Sequence, residues 1–460
     1  MIRSAESVLS SFAPSRGTAA PPAPASPSRL ASDSFAREAP AGRSRAGTAV
    51  NQAIFETAKG TVPTPAAFTL GSIEDIWVND TDPEDEAVDK VIELLADAHQ
   101  EISLQTFYFK YDQPAAQRLL AALAKKQAEN PDFQVHIAYN RDFNPLGTTM
   151  EEALQQYGVK ADVAIYAGAV SRKSNHTKMF VLDGRDAVIG GDNIDNPAER
   201  DVMVHLRGPV VDSLLRDFDE AWSTSKRWIN GTRTPPTHRK GLGTVSSQPL
   251  VPMTLLTKQG VAWVGDYANN DADQGLLAAM NAAQRLIKVA SPNLNDTRVW
   301  DALEASAKRG VKVEIMLPQN FKAVGPLFDR STNRAVPRFL AQLPEAARQN
   351  VELRWFAEDG KTPGDSHTKF LSVDGEWAYV GSQNMDNQAW AFSREVGIGV
   401  DDATQVQRLE DAMFDADWAT SIPAELRPID AVMPLPARNW GERLARFFIP
   451  ALPNLPTDGR

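Results

Sequence analysis

The chain has 460 residues, a formal net charge of −11 and no cysteine, which excludes disulfides and thiolate metal sites and is compatible with a reducing compartment. Its hydrophobic content of 42% and charged content of 23% are those of a globular protein with room for two core-sized units. No apolar run approaches the roughly 18 residues of a bilayer span, no compact apolar signal-peptide core opens the chain, and the acidic balance disfavours a protein that wraps nucleic acid.

Residues 1–70 are rich in Ala, Ser, Pro and Arg and read as a disordered tail, either passive or an address or export segment recognised while unfolded. A soluble protein, cytoplasmic or exported as an effector, is the expectation. From Gly71 the apolar pattern alternates between strand and helix periods. Asp75–Val78 reads as a strand, Glu84–Ala98 as a helix, Ile102–Phe109 as a strand, Pro114–Glu129 as a helix and Phe133–Tyr139 as a strand. A helix near Thr149–Tyr157, a strand pair, the strand Asp201–Leu206 and the helix Pro209–Trp222 complete a first half, 71–229. The acidic residues between 80 and 86 read as a solvated loop and helix start.

A Thr-, Pro- and Gly-rich bridge from Asn230 to Pro249 marks a linker, 230–256. The second half, 257–420, repeats the order. Val261–Val264 reads as a strand, Gln274–Ala283 as a helix, Arg285–Ala290 as a strand and Arg298–Arg309 as a helix. Val311–Leu317 follows as a strand, then the helix Arg334–Gln349, the strand Val351–Trp355 and a second strand pair. Val396–Val400 and Ala403–Trp418 close it. Trp77-Val78 lines up with Trp263-Val264, and Arg200-Asp201-Val202 with Arg394-Glu395-Val396. Residues 421–460 form a Pro-rich tail with one amphipathic piece, Trp440–Ile449, read as packing back on the body or touching a membrane surface. Alternating strands and helices imply an α/β layered fold, and a repeat of about 190 residues implies duplicated domains rather than a solenoid.

The two strand pairs carry the chemistry. Asn175–Asn193 and Ser366–Asn384 share the order His-x-Lys, four residues, Asp, six residues, Gly-x-x-Asn. These are His176, Lys178, Asp183, Gly190 and Asn193, then His367, Lys369, Asp374, Gly381 and Asn384. With average residue usage, the pattern arises by chance in about one such chain in ten thousand. Two copies leave chance negligible. Asp-Gly is a strong turn signal, and residues i and i+2 of a strand share a face. Each copy thus brings an imidazole, an ammonium and a carboxamide to one rim, with small residues at Gly-x-x-Asn where the backbone passes close to a ligand.

Such a set suits attack on a phosphodiester, which needs a nucleophile, an acid for the leaving oxygen and positive charge around the remaining oxygens. Two half-sites brought face to face supply all three without a metal or cofactor. One imidazole attacks phosphorus and forms a phosphohistidine; the other protonates the leaving alcohol and then serves as base. Lys178, Lys369, Asn193 and Asn384 would hold the non-bridging oxygens. Asp201 and Glu395 are candidates to bond the imidazoles and fix their tautomers. Asp183 and Asp374 are assigned to bonding turn amides. His99, His136, His205 and His238 have no matching neighbours and read as surface or core histidines.

The duplicated His-x-Lys-x4-Asp resembles the phospholipase D superfamily over residues 71–420. GGDNIDNPAERDVMVHLRGPVV and GSQNMDNQAWAFSREVGIGV resemble most the bacterial cardiolipin synthase and phospholipase D-like branch. The resemblance implies two pseudo-twofold-related α/β halves, each a mixed β-sheet flanked by helices, with one active site at their interface. It implies a metal-independent two-step reaction with His176 as nucleophile and His367 as acid, a choice that sequence symmetry alone leaves open. Gly191 stands where the usual pattern, kept at Ser382, has serine, so a hydroxyl contact is expected to be lost in one half. Cardiolipin synthases usually carry N-terminal membrane helices; the tail here favours a soluble or exported phospholipase. The leading expectation is therefore a monomeric enzyme hydrolysing or transferring the phosphatidyl group of glycerophospholipids at a membrane surface. A cardiolipin synthase-type transferase is the first alternative, a nuclease the second, and a relic-site adaptor the third.

Overall fold

The computed structural model describes residues 44–58, 63–79, 86–142, 147–168, 173–194, 199–238, 246–260, 270–319, 321, 333 and 336–425. The first half contributes β1 (Phe68–Asn79), β2 (Glu101–Thr106), β3 (Gln134–Tyr139), β4 (Asp162–Ile165), β5 (Ser174–Asn175), β6 (Met179–Leu182), β7 (Asp186–Gly190), β8 (Asp201–Arg207) and β9 (Arg227–Ile229). The second contributes β10 (Val251–Lys258), β11 (Leu286–Ala290), β12 (Lys312–Leu317), β13 (Val351–Trp355), β14 (Phe370–Val373), β15 (Trp377–Gly381), β16 (Ser393–Val400) and β17 (Ile422–Pro423).

Pairing runs β9–β4–β3–β2–β6–β7–β8–β1 in one half. It runs β17–β13–β12–β11–β14–β15–β16–β10 in the other. In both, the first three strands after the edge are parallel and the rest antiparallel, so the two-half α/β arrangement expected from the duplication is the one observed. β1 joins the sheets. Its residues Phe68–Gly71 pair with β10 and Ser72–Asn79 with β8, across an irregularity between Ile73 and Asp75.

Helices start and stop where local chemistry demands. Pro114 occupies the first turn of Pro114–Glu129, where its missing N–H costs nothing. Thr149 and Glu152 form a capping box on Met150–Tyr157, and Gly158 closes that helix at φ 71°. Leu119, Leu120 and Leu123 bury one helix face against Ile102, Leu104 and Ile137 in the first half. A separate cluster unites both halves: Leu214 and Phe218 of Val210–Thr224 pack in the same core as Val396, Ile398 and Phe414. Truncating a fully buried aromatic such as Phe218 costs about 3–5 kcal/mol. The halves are therefore joined by a shared apolar core. No helix among the described residues is long and apolar enough to cross a membrane.

Several expectations need correction. Ser44–Thr57 is a helix within the stretch read as disordered tail. Its Phe55 is fully buried edge-on to Trp377, and Asn51 accepts a 2.9 Å bond from the Trp377 indole; tertiary burial overrides the bland local composition. Residues 1–43 lie outside the described residues. The linker ends sooner than expected, because β10 begins at Val251. Val261–Val264 lies outside the described residues, and the strand that pairs with β16 is β10. Register makes Leu256, not Trp263, the counterpart of Trp77: Trp77 faces Met203 and Leu256 faces Gly397. Arg334–Gln349 is two short helices, Val336–Ala341 and Glu345–Arg348, interrupted at Pro344, which cannot continue the first. The closing helix carries a π-helical turn at Asp411–Asp415. Residues 426–460, with Trp440–Ile449, lie outside the described residues.

Candidate active site

Each motif folds as a hairpin, β6–β7 and β14–β15. The Asp-Gly turns have positive φ at both residues, 53° and 58° at Asp183-Gly184, 56° and 68° at Asp374-Gly375, the geometry of a type I′ turn. The aspartate side chains do not close their own turns. Asp183 accepts from the amides of His99, Gln100 and Glu101 at 2.6–3.0 Å. Asp374 accepts from those of Gln284, Arg285 and Leu286 at 2.7–2.9 Å. They tie each hairpin to the start of the strand that pairs antiparallel with it, β2 or β11. Gly190 and Gly381 are required by the close approach of the neighbouring strand: a Cβ there would overlap the Val202 carbonyl in one half and lie 2.5 Å from Gly397 Cα in the other.

The residues before each histidine leave their own half. β5 pairs with the start of β16 in parallel, and Ser366 bridges Arg200 in the same sense. The His176 amide donates to the Arg394 carbonyl at 2.9 Å and the His367 amide to the Arg200 carbonyl at 2.7 Å. Each histidine is thereby placed beside the carboxylate of the opposite half. His367 Nδ1 lies 2.7 Å from Asp201 Oδ2. His176 Nδ1 lies 3.1 Å from Glu395 Oε1, 3.2 Å from Oε2 and 3.1 Å from the Ser382 carbonyl oxygen. With both Nδ1 atoms engaged, Nε2 is the ring nitrogen left for chemistry in each. The two rings stand 6.5 Å apart at 87°. That separation accommodates one tetrahedral phosphorus.

The lysines are buried beneath the rings. Lys178 Nζ donates to the His176 carbonyl at 2.6 Å. Lys369 donates to the His367 carbonyl and lies 3.3 Å from Asp201 Oδ2. Burial, then the two ammonium groups, holds the His176 imidazole well below its usual range. Burial and Lys369 push His367 down to about 4 against the pull of Asp201. The carboxylates part company. Burial alone would raise Asp201, but Lys369 and His367 outweigh it and hold the group ionised, below its ordinary value. Burial dominates at Glu395 and lifts it to about 8 despite Lys178.

Gly191 accounts for part of this difference. A Cβ there would overlap the Asp201 carboxylate and lie 2.7 Å from Lys369 Nζ. In the other half Ser382 Oγ occupies the corresponding position and donates to Glu395 Oε2 at 2.6 Å. The hydroxyl contact expected to be simply missing is replaced by an ammonium.

Asn193 and Asn384 are each nearly buried, and the carboxamide oxygen of each finds no hydrogen-bond partner among the described residues. The Asn384 amide donates to Asp386 at 3.0 Å, so it is held within its own loop. The sequence reading missed two aromatic neighbours: Phe107 packs edge-on to His176 at 4.9 Å, and Phe321 stacks on His367 at 5.5 Å. It also missed a crossed pair of arginine locks. Arg394 reaches Asp217 in the first half's closing helix, and Arg200 reaches Asp417 in the second's at 2.9 Å. The recurrence of Arg before each carboxylate was their one sequence signal. The remaining histidines serve elsewhere: His205 bonds Asp186 at 2.7 Å, and His238 bridges Glu101 and Asp219. Among the described residues no group of three or more His, Asp or Glu side chains is placed to hold a metal ion.

Comparisons with known proteins point the same way. The chain matches the family model "Cardiolipin synthase, PLD-like domain" over residues 91–222 and again over 276–418, one match per half. It is 26% identical over 385 residues to cardiolipin synthase A of Pseudomonas entomophila (strain L48), covering 80% of this chain and 73% of that protein. Cardiolipin synthase A of Pseudomonas aeruginosa (strain UCBPP-PA14) is 28% identical over 371 residues, covering 77% and 69%. Among solved structures, the phosphatidylserine synthase of Haemophilus influenzae Rd KW20 superposes with a TM-score of 0.61 at 14% identity, covering 89% of this chain and 97% of that one; at that identity the likeness is one of fold.

Proposed function

Because the chain belongs to the phospholipase D-like family of the cardiolipin synthase model, we propose that it transfers phosphatidyl groups between alcohols in the manner of a cardiolipin synthase. The reading led by sequence alone, hydrolysis, becomes the second: water entering in place of an alcohol gives the same chemistry with phosphatidic acid as product. The relatives' names support the transferase ordering.

The observation that carries the chemistry is the pair of imidazoles 6.5 Å apart, each with Nδ1 on a carboxylate from the opposite half. His176, kept neutral by burial and the lysines, attacks phosphorus through Nε2. The P–O bond to the leaving alcohol breaks, its electron pair stays on oxygen, and His367 Nε2–H supplies the proton. The resulting phosphohistidine is opened by an incoming alcohol whose proton passes to His367. Lys178 and Lys369 stabilise the charge on the non-bridging oxygens, the task a metal performs in other phosphotransferases. The substrate is a glycerophospholipid met at a membrane surface, and one chain suffices because both histidines belong to it.

Vesicles of phosphatidylglycerol, incubated with and without added glycerol and with and without EDTA, test the reading. Cardiolipin or exchanged phosphatidyl-alcohol in excess of phosphatidic acid, insensitive to EDTA, is expected. Phosphatidic acid alone would leave the hydrolase, and cleavage of plasmid DNA with no lipid turnover would overturn the lipid assignment.

A further inference from the structure

The two walls of the cleft differ two residues upstream of the crossing carboxylates. On the His176 side, Ser393 precedes Glu395 by two and its hydroxyl lies 2.8 Å from that of Ser174, both buried. On the His367 side the matching positions, fixed by the parallel bridge between Arg200 and Ser366, are Glu199 and Asp365. Residues i and i+2 in extended backbone share a face, and Glu199 accordingly reaches the same ring nitrogen that Asp201 holds: its Oε2 lies 3.9 Å from His367 Nδ1. The side chain is 37% exposed, at the mouth rather than the floor.

We infer that Glu199 is a positioning residue for His367, a second carboxylate that favours protonation of this imidazole over that of His176 and so makes it, rather than His176, the acid of the reaction. The inference rests on the proposed phosphodiester chemistry and deepens it.

The groups that bear on the ring are few. Asp201 and Glu199 face it from β8 and its approach, Lys369 from its own strand, and Lys178 and the His176 ring from the opposite half. Two cations and burial disfavour the imidazolium, and one buried carboxylate opposes them. A carboxylate at about 4 Å in a partly wet setting contributes on the order of one pH unit of proton affinity. Donation moves the proton from His367 Nε2 to the departing alkoxide and leaves a neutral ring whose Nδ1–H stays on Asp201. A deprotonated His367 cannot make that transfer, so loss of Glu199 brings the alkaline limb of turnover to lower pH.

The test compares pH profiles of kcat for wild type, Glu199→Gln and Glu199→Asp on a dialkyl phosphodiester lipid and on an aryl phosphodiester whose leaving group needs no proton. Glu199→Gln should move the alkaline limb down by roughly one pH unit on the lipid and leave it in place on the aryl ester. Glu199→Asp, which keeps the charge, should recover at least half of that displacement. An unmoved limb in an active Glu199→Gln enzyme, or an equal loss on both substrates at every pH, overturns the inference. A wild-type chain that cleaves neither substrate instead overturns the phosphodiester reading itself.

Discussion

The two half-sites are built on one scaffold and end in opposite electrostatic states. In one, His367 faces an ionised Asp201 shared with Lys369 at 3.3 Å. In the other, His176 faces Glu395, satisfied by the Ser382 hydroxyl at 2.6 Å and lifted by burial to about 8. The motif residues are the same on both sides. Asymmetry comes from their neighbours: glycine against serine at 191 and 382, and the partly exposed Glu199 against the buried Ser393. On the proposed mechanism, a duplicated motif would thereby supply a nucleophile and an acid without changing either histidine.

The sharpest break of that symmetry is His176→Ala against His367→Ala. Loss of the nucleophile should abolish turnover of every substrate. Loss of the acid should cost about 10²–10⁴ on lipid yet still release up to one equivalent of phenolate from an aryl phosphodiester, measured in a stopped-flow burst. Equal behaviour of the two variants on the aryl ester would remove the assignment of roles. Replacing either Lys178 or Lys369 with Met should lower kcat by about 10²–10³, measured on phosphatidylglycerol vesicles.

The arginine locks give the next contrast, in stability. Arg394 is fully buried against Asp217, whose carboxyl burial lifts to about 6, and breaking such a pair costs about 3–5 kcal/mol. Arg200, whose side chain is 14% exposed, should cost less, about 1.5–3 kcal/mol. Urea unfolding of Arg394→Ala and Arg200→Ala separates them.

The smallest effect is a pH slope. Glu395 titrates near 8 in the folded chain against about 4.3 unfolded. The folded state therefore binds the extra proton, and its contribution to stability, complete below about 4.3, is lost as pH rises through 8. His367, held down to about 4, acts in the opposite sense between 4 and about 6.5. Between 6.5 and 8 His367 no longer contributes, while Asp401, lifted by burial to about 7, and His238, raised to about 9 against burial by its bonds to Asp219 and Glu101, add a fall of the same sign; Glu395→Gln should lessen the fall in stability there relative to wild type. An unchanged slope would mean that Glu395 is ionised in the native chain and that the half-sites are electrostatically alike.

Much of this molecule was legible because its information is local. His-x-Lys, Asp-Gly and Gly-x-x-Asn lie within one hairpin, so period-two alternation and turn chemistry placed them together. Pro114–Glu129 begins at its proline and was found at its observed bounds. What failed is non-local. Nothing near His176 announces that its carboxylate lies 219 residues away in the opposite half. The helix Ser44–Thr57 is held by Trp377, a partner its own Ala- and Ser-rich surroundings do not disclose. The first strand of the second half was sought at Val261–Val264, whereas the register against β16 belongs to Val251–Lys258.

The central claim is that imidazoles from the two halves act on one phosphorus, with His176 taking the phosphatidyl group. Rapid acid-free quenching of the full chain with phosphatidylglycerol labelled in its phosphate, followed by peptide mass spectrometry, tests it most directly. Label on His176 in the wild type, accumulating in His367→Ala supplied with an aryl phosphodiester, is the expected result. Label on His367, or turnover with no phosphorylated histidine at all, would contradict it.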